Sequence, residues 1–217
     1  MAHDHDHCCP PPAAPEGDTL ARRVLWTVLA LNAAMFVIEL GAGLGAGSVS
    51  LQADALDFLG DSASYAISLV VLGRHPRWRT ASAGLKGLAM AGFGLWVIGA
   101  TVWSLIAKGV PDPVVMGSVG ALALAVNVFC AVLLFRFRGG DANMRSVWLC
   151  SRNDAIGNFA VMAAASGVFA TGTAWPDLAV AAIMASLALY ASVLVLAHAA
   201  REWRDGAGDV AAPPRRP

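Results

Sequence analysis

The segment Ser48–Ser64 constrains this chain most, because it places three aspartates in a stretch that is otherwise apolar or small. On a helix, Asp57 and Asp61 share one face, and Asp54 lies only about 20° around the axis from Asp61. The stretch continues to Leu72 without another charge and is long enough to cross a membrane. Carboxylates in such a stretch are costly and usually mark the path of an ion or a substrate.

A second apolar stretch, Ser146–Val161, carries a matching pair of polar side chains. Cys150 and Asp154 are spaced i, i+4 and therefore share a helix face. Two helices that each present a ligand pair at this spacing can close a four-ligand site, and thiolate and carboxylate both bind divalent metals such as zinc. If the two helices are antiparallel, Asp57 is expected opposite Asp154, and Asp61 opposite Cys150.

These two segments resemble the signatures of the cation diffusion facilitators, a family of proton-coupled exporters of divalent metals. The family's second-span signature, Ser-x-small-apolar-apolar-Ala-Asp-small-x-His/Asp-x-x-x-Asp-x-x-Ala/Ser, is similar to Ser48–Ser64 except at Gln52, where an apolar residue is usual. A cysteine stands at position 150, where the family usually has histidine or aspartate. The resemblance covers about residues 22–204. It implies four metal ligands, namely Asp57, Asp61, Cys150 and Asp154.

The composition is typical of a membrane protein, because the 217 residues are 57% hydrophobic and 14% charged, with a mean hydropathy of +0.61. The fold class is therefore predicted as all-α, a polytopic bundle of six transmembrane helices. The break between the first two depends only on the glycines that precede Ser48. The spans are predicted at approximately Val24–Ala46, Leu51–Leu72, Gly87–Ala107, Val114–Phe135, Ser146–Val168 and Leu178–Ala200.

Basic residues predict the orientation. Thirteen of the fifteen lysines and arginines fall on one side of these spans, among them Lys86 between the second and third. Lys108 lies on the other side, and Arg152 lies inside the fifth span. The positive-inside rule then places both termini in the cytoplasm and the chain in the inner membrane. The first 21 residues lack the apolar core of a cleavable signal peptide.

Three parts are expected along the chain: a disordered cytoplasmic arm over residues 1–21, a cation efflux unit over 22–204 and a short cytoplasmic tail over 205–217. The family usually carries a folded cytoplasmic domain after the last span. The sequence predicts that this domain is absent and that membrane helices hold a homodimer. The arm is interpreted as metal-collecting because it contains a cluster of possible metal ligands, His3, His5, His7, Cys8 and Cys9. The alternative is a low-complexity tail that binds metal only adventitiously.

Polar residues outside the ligand set have open roles. Glu39 either lines a path for protons or metal, or is a protonated or hydrogen-bonded acid near the outer boundary. Asp54 is expected either in an outer vestibule or in contact with the ligands, the alternative being a direct metal ligand. Arg152 lies about 200° from the ligand face and either snorkels or pairs with an acid such as Glu39. Gly92 and Gly99 predict a close helix contact on the third span.

The chain is therefore predicted to be a secondary transporter, not an enzyme, that exports a divalent cation in exchange for protons. Zinc and cadmium come first because cysteine favours thiophilic ions, and cobalt or another heavy metal stays open. No prosthetic group and no nucleic-acid partner are expected. The alternatives are a membrane-bound metal sensor or metal-delivery protein without transport, an intramembrane metalloenzyme, for which no His-Glu-x-x-His motif is present, and a bundle whose polar residues only pack.

Overall fold

The computed structural model describes the backbone of residues 19–71, 76–107, 109–135 and 142–211. Every regular element in these ranges is a helix, which confirms the prediction of an all-α bundle of six helices. The helices are α1 Thr19–Ala46, α2 Val49–Val71, α3 Pro76–Ala107, α4 Pro113–Phe135, α5 Ala142–Thr171 and α6 Trp175–Ala211.

The bundle has an apolar exterior and a polar interior. Large apolar side chains point outward, with Trp103 70% and Phe169 77% exposed, whereas Glu39, Asn127 and Asn158 are buried. This arrangement suits lipid, where an exposed polar group is costly. Within the described ranges, four stretches are long and apolar enough to cross a membrane, so the protein is a multi-pass membrane protein; they are Arg22–Ala46, Gly84–Ala107, Pro113–Phe135 and Trp175–Arg201.

The turn between α1 and α2 is built on Gly47, whose φ of 68° lies in the left-handed region that favours glycine. The Ser48 amide donates to the Gly43 carbonyl at 2.9 Å, the hydrogen bond of a Schellman helix end. α2 then begins at Val49. The predicted break between the first two spans is therefore confirmed.

α2 is the central helix, because it contributes to each of the four buried apolar clusters found among the described residues. Its residues Val49, Ala53 and Leu56 pack with α3 and α6. The other three clusters join α2 to α1, α4 and α5, through Tyr65, Leu51 and Phe58.

α3 and α6 approach closely at two glycines of α3. A Cβ atom added at Gly87 would lie 2.9 Å from Leu196 Cγ, and one at Gly94 would lie equally close to another leucine of α6. The close helix contact predicted at Gly92 and Gly99 is not formed within the described part of the chain, because none of its atoms lies within 4 Å of a Cβ added at either glycine. The same spacing occurs twice on α3, and the leucines of α6 determine which face is packed.

Candidate metal site

α2 begins on a buried carboxylate that comes from α6. Ser48 Oγ donates to Asp177 Oδ1 at 2.7 Å, and the amides of Val49 and Ser50 donate to Oδ2 and Oδ1 at 2.9 and 3.0 Å. Asp177 is only 1% exposed and lies in the first turn of α6. The carboxylate therefore stands at two helix N-termini, which both favour negative charge. It fixes the start of α2, and hence the helix that carries the acids, against α6.

The aspartates of α2 meet α5 at the middle of the bundle. A Cβ atom added at Gly157 would lie 3.5 Å from both Asp54 Oδ1 and Asp57 Oδ2, an ordinary van der Waals distance that places both acids against α5. The side chains of Asp61 and Asp154 lie within hydrogen-bonding distance of each other. Two carboxyl groups at this distance require a proton or another cation between them.

The pairing of α2 with α5 differs from the expected one by about one helical turn. Asp61, and not Asp57, is the acid that lies within hydrogen-bonding distance of Asp154, while Asp57 lies beside Gly157. Gly157 lies about one turn beyond Asp154 along α5. Cys150 therefore lies one turn from Asp154 on the side away from Gly157, and its side chain is outside the described residues.

No three His, Cys, Asp or Glu side chains among those described are already grouped around one point as metal ligands. Asp57 and Asp61 are electrostatic neighbours of Asp154 without converging on a common centre with it. The set of Asp57, Asp61, Cys150 and Asp154 therefore stays a prediction. The three residues of this set whose side chains are described, Asp57, Asp61 and Asp154, are all carboxylates, which are known ligands of divalent cations.

Asp61 has two further neighbours. Tyr65 Oη donates to Asp61 Oδ2 at 3.4 Å. The Lys86 ammonium interacts electrostatically with Asp61 and donates a hydrogen bond to Ser64 Oγ. Lys86 is not in a loop between the second and third spans, because α3 already begins at Pro76 and carries this lysine beside the acids.

The outer pair of acids is buried completely. Glu39 is 0% and Asp54 1% exposed, and their side chains lie within hydrogen-bonding distance of each other. Both Glu39 carboxyl oxygens and Asp54 Oδ2 have no hydrogen-bond donor among the described residues. Glu39 therefore faces the polar interior together with Asp54. Two adjacent buried carboxyl groups need at least one shared proton, because two neighbouring negative charges would otherwise be buried without compensation.

The remaining predicted residues cannot be placed at the site. The side chain of Arg152 lies outside the described residues, and so do residues 1–18 of the N-terminal arm, whose last three residues are the start of α1. This applies to His3, His5, His7, Cys8 and Cys9.

Sequence reasoning missed three residues that shape the site: Asp177, Lys86 and Gly157. Asp177 follows a Trp-Pro pair, which is a signal for the start of its own helix, but nothing local indicates that it caps α2. Lys86 follows several arginines and is therefore predicted with them in a basic loop between two spans. Gly157 is one glycine among 22.

These features define a multi-pass helical membrane protein with a carboxylate cluster between two of its helices. A family model described as the cation efflux transmembrane domain matches residues 25–202. The chain belongs to this family, the cation diffusion facilitators.

Two curated relatives are similar to the chain. The metal cation efflux system protein CzcD of Cupriavidus metallidurans is 25% identical over 194 residues, which cover 84% of this chain and 58% of CzcD. The zinc transporter ZitB of Escherichia coli is 28% identical over 224 residues, which cover 95% of this chain and 69% of ZitB. The chain thus spans little more than half the length of CzcD.

Proposed function

We propose that this chain exports a divalent metal cation from the cytoplasm across the inner membrane in exchange for protons. The observation that carries the proposal is that acids of α2 and α5 face each other inside a membrane bundle, with Asp61 beside Asp154 and Asp57 beside Gly157. Acids at this depth are costly unless they bind a cation. Membership of the cation efflux family, and similarity to a metal cation efflux system protein and a zinc transporter, support the same function.

The transported metal would bind Asp57, Asp61, Cys150 and Asp154. Such ligands hold a metal only when they are deprotonated, so protons entering from outside would displace it. The contact between Asp61 and Asp154 suits this exchange, because two adjacent carboxyl groups can share one proton or bind one metal. α2 and α5 would move against their neighbours to open the site to each side in turn. The protein acts as a secondary transporter and not as an enzyme.

The proposal extends to the ion and to the parts of the chain. Zinc and cadmium are the first candidates and cobalt the next, because a cysteine ligand favours thiophilic ions. Residues 1–21 would collect metal in the cytoplasm, residues 22–204 would form the transport unit, and residues 205–217 would be a cytoplasmic tail. Membrane helices would join two copies into a homodimer.

Proteoliposomes that enclose a pH-sensitive dye test the function. Addition of Zn²⁺ or Cd²⁺ outside should move metal inward through molecules with their cytoplasmic side outward, and the lumen should become more alkaline as protons leave. Mg²⁺ should give neither signal. Metal binding without flux would favour a membrane-bound sensor or delivery protein, and metal flux without proton movement would contradict the antiport.

A further inference from the structure

α3 passes α2 in an antiparallel register that brings a lysine to the acids. A Cβ atom added at Gly60 would lie 3.5 Å from Met90 Cε. One turn further along both helices, Lys86 Nζ donates to Ser64 Oγ. Ser64 is itself buried and bonded to the Gly60 carbonyl at 2.9 Å, so the acceptor that holds the lysine is fixed on α2.

Lys86 and Asp154 both interact with Asp61, and they come from different helices, α3 and α5. Ser64 follows Asp61 by three residues, which places both on adjoining parts of the α2 surface. The ammonium and the Asp61 carboxylate interact electrostatically. Lys86 also falls inside the apolar stretch Gly84–Ala107, where a lysine needs an acidic partner.

We propose that the Lys86 ammonium is a tethered counter-ion that competes with the transported metal for Asp61 and thereby sets metal affinity and release. This inference rests on the proposed function. In the empty site, the ammonium balances part of the negative charge of the acids. When a divalent cation binds, the two positive charges repel each other, so the metal must displace the ammonium from Asp61. Lys86 therefore weakens metal binding and speeds metal release.

Two substitutions of Lys86 separate its charge from its size. Equilibrium binding of Zn²⁺ and of Cd²⁺ is measured on the purified full chain in detergent. Lys86→Gln should bind both ions about tenfold more tightly or better, because the repulsion is removed. Lys86→Arg keeps the charge and should bind them as the wild type does. In proteoliposomes, Lys86→Gln should show a lower KM together with a lower maximal rate.

Arg204→Gln is the matched control, because it removes a positive charge from an exposed part of α6 and should leave affinity unchanged. Misfolding cannot produce tighter binding, so a gain in affinity reports on the charge. The inference would be overturned if the Lys86→Gln protein elutes as a single species in size-exclusion chromatography and yet binds metal no more tightly than the wild type. Tighter binding by Lys86→Arg would do the same.

The two proposals fail in different ways. If the wild type binds metal in an Asp61-dependent manner but shows no flux, the transport function is wrong and the affinity comparison still decides the role of Lys86. If flux is present and Lys86→Gln matches the wild type, only the counter-ion role is wrong. Absence of any metal binding by the wild type would contradict both.

Discussion

At the scale of single residues, Asp61 holds the central position, because side chains from three helices interact with its carboxyl group. Tyr65 donates to it from the same helix, the Asp154 carboxyl group of α5 lies within hydrogen-bonding distance, and the Lys86 ammonium of α3 interacts with it electrostatically. An acid with this surrounding can exchange one cationic partner for another: a proton, an ammonium or a metal. The spacing of the aspartates predicts that Asp61 lies at a site, but not which partners surround it.

Cys150 is predicted to set the choice of metal, because thiolate is a softer ligand than imidazole. Cys150→His should move the preference from cadmium toward zinc. Cys150→Ser should weaken transport of both ions, and cadmium should suffer more. Cadmium and zinc fluxes are measured side by side for the wild type and both variants. A cadmium-to-zinc ratio that is the same in all three would remove Cys150 from the site.

Asp177 is predicted to stabilise the bundle through the start of α2. Asp177→Ala leaves the Ser48 hydroxyl and the Val49 and Ser50 amides without their acceptor, which should cost about 1–3 kcal/mol of unfolding free energy. Asp177→Asn keeps one acceptor oxygen and should lose less. Thermal unfolding in detergent measures both. Equal midpoints for the wild type and Asp177→Ala would show that this cap does not hold the helix.

At the scale of elements, the contact between α2 and α5 shows how far a sequence can be interpreted. Helix periodicity predicts which acids share a face, and the structure brings Asp61 and Asp154 together. The register of α2 against α5 along their axes cannot be derived from the sequence of either helix alone. It depends on the packing of the assembled bundle, in which Asp57 lies beside Gly157 and the pairing is about one turn from the expected one.

Two glycines on different faces of α3 offer a matched test of helix packing. Gly87→Ala places a Cβ atom 2.9 Å from Leu196 and should destabilise the protein by about 1–3 kcal/mol. Gly92→Ala meets open space and should be neutral or stabilise by about 0.5–1 kcal/mol, because alanine favours the helix. Unfolding midpoints of the two variants give the comparison. A larger loss for Gly92→Ala would contradict the packing of α3 against α6.

At the scale of the whole molecule, the six helices could be predicted because membrane spans are local features of hydropathy, length and breakers. Contacts between helices, in contrast, join residues that are far apart in the sequence. The cap from Asp177 joins positions 129 residues apart along the chain, and only the assembled bundle brings them together. Lys86 is a similar case, because its role depends on the register between α2 and α3.

Deletion of residues 2–12 tests whether the arm assists transport. The deletion should lower the apparent metal affinity or the rate but preserve transport, because the arm's ligands lack a spacing that would arrange them in advance. Flux over a range of metal concentrations compares the deletion with the wild type. Complete loss of transport at a normal protein level would show that an essential ligand lies in the arm.

The central claim is that the acids between α2 and α5 bind the transported metal, and flux through Asp61→Asn tests it most directly. The variant is reconstituted beside Asp112→Asn, a control whose exposed aspartate accepts from the Val114 amide at 2.8 Å at the start of α4. We expect Asp61→Asn to abolish zinc and cadmium flux, and Asp112→Asn to retain it, at equal amounts of protein in the membrane. Near-normal flux through Asp61→Asn would contradict the proposed site.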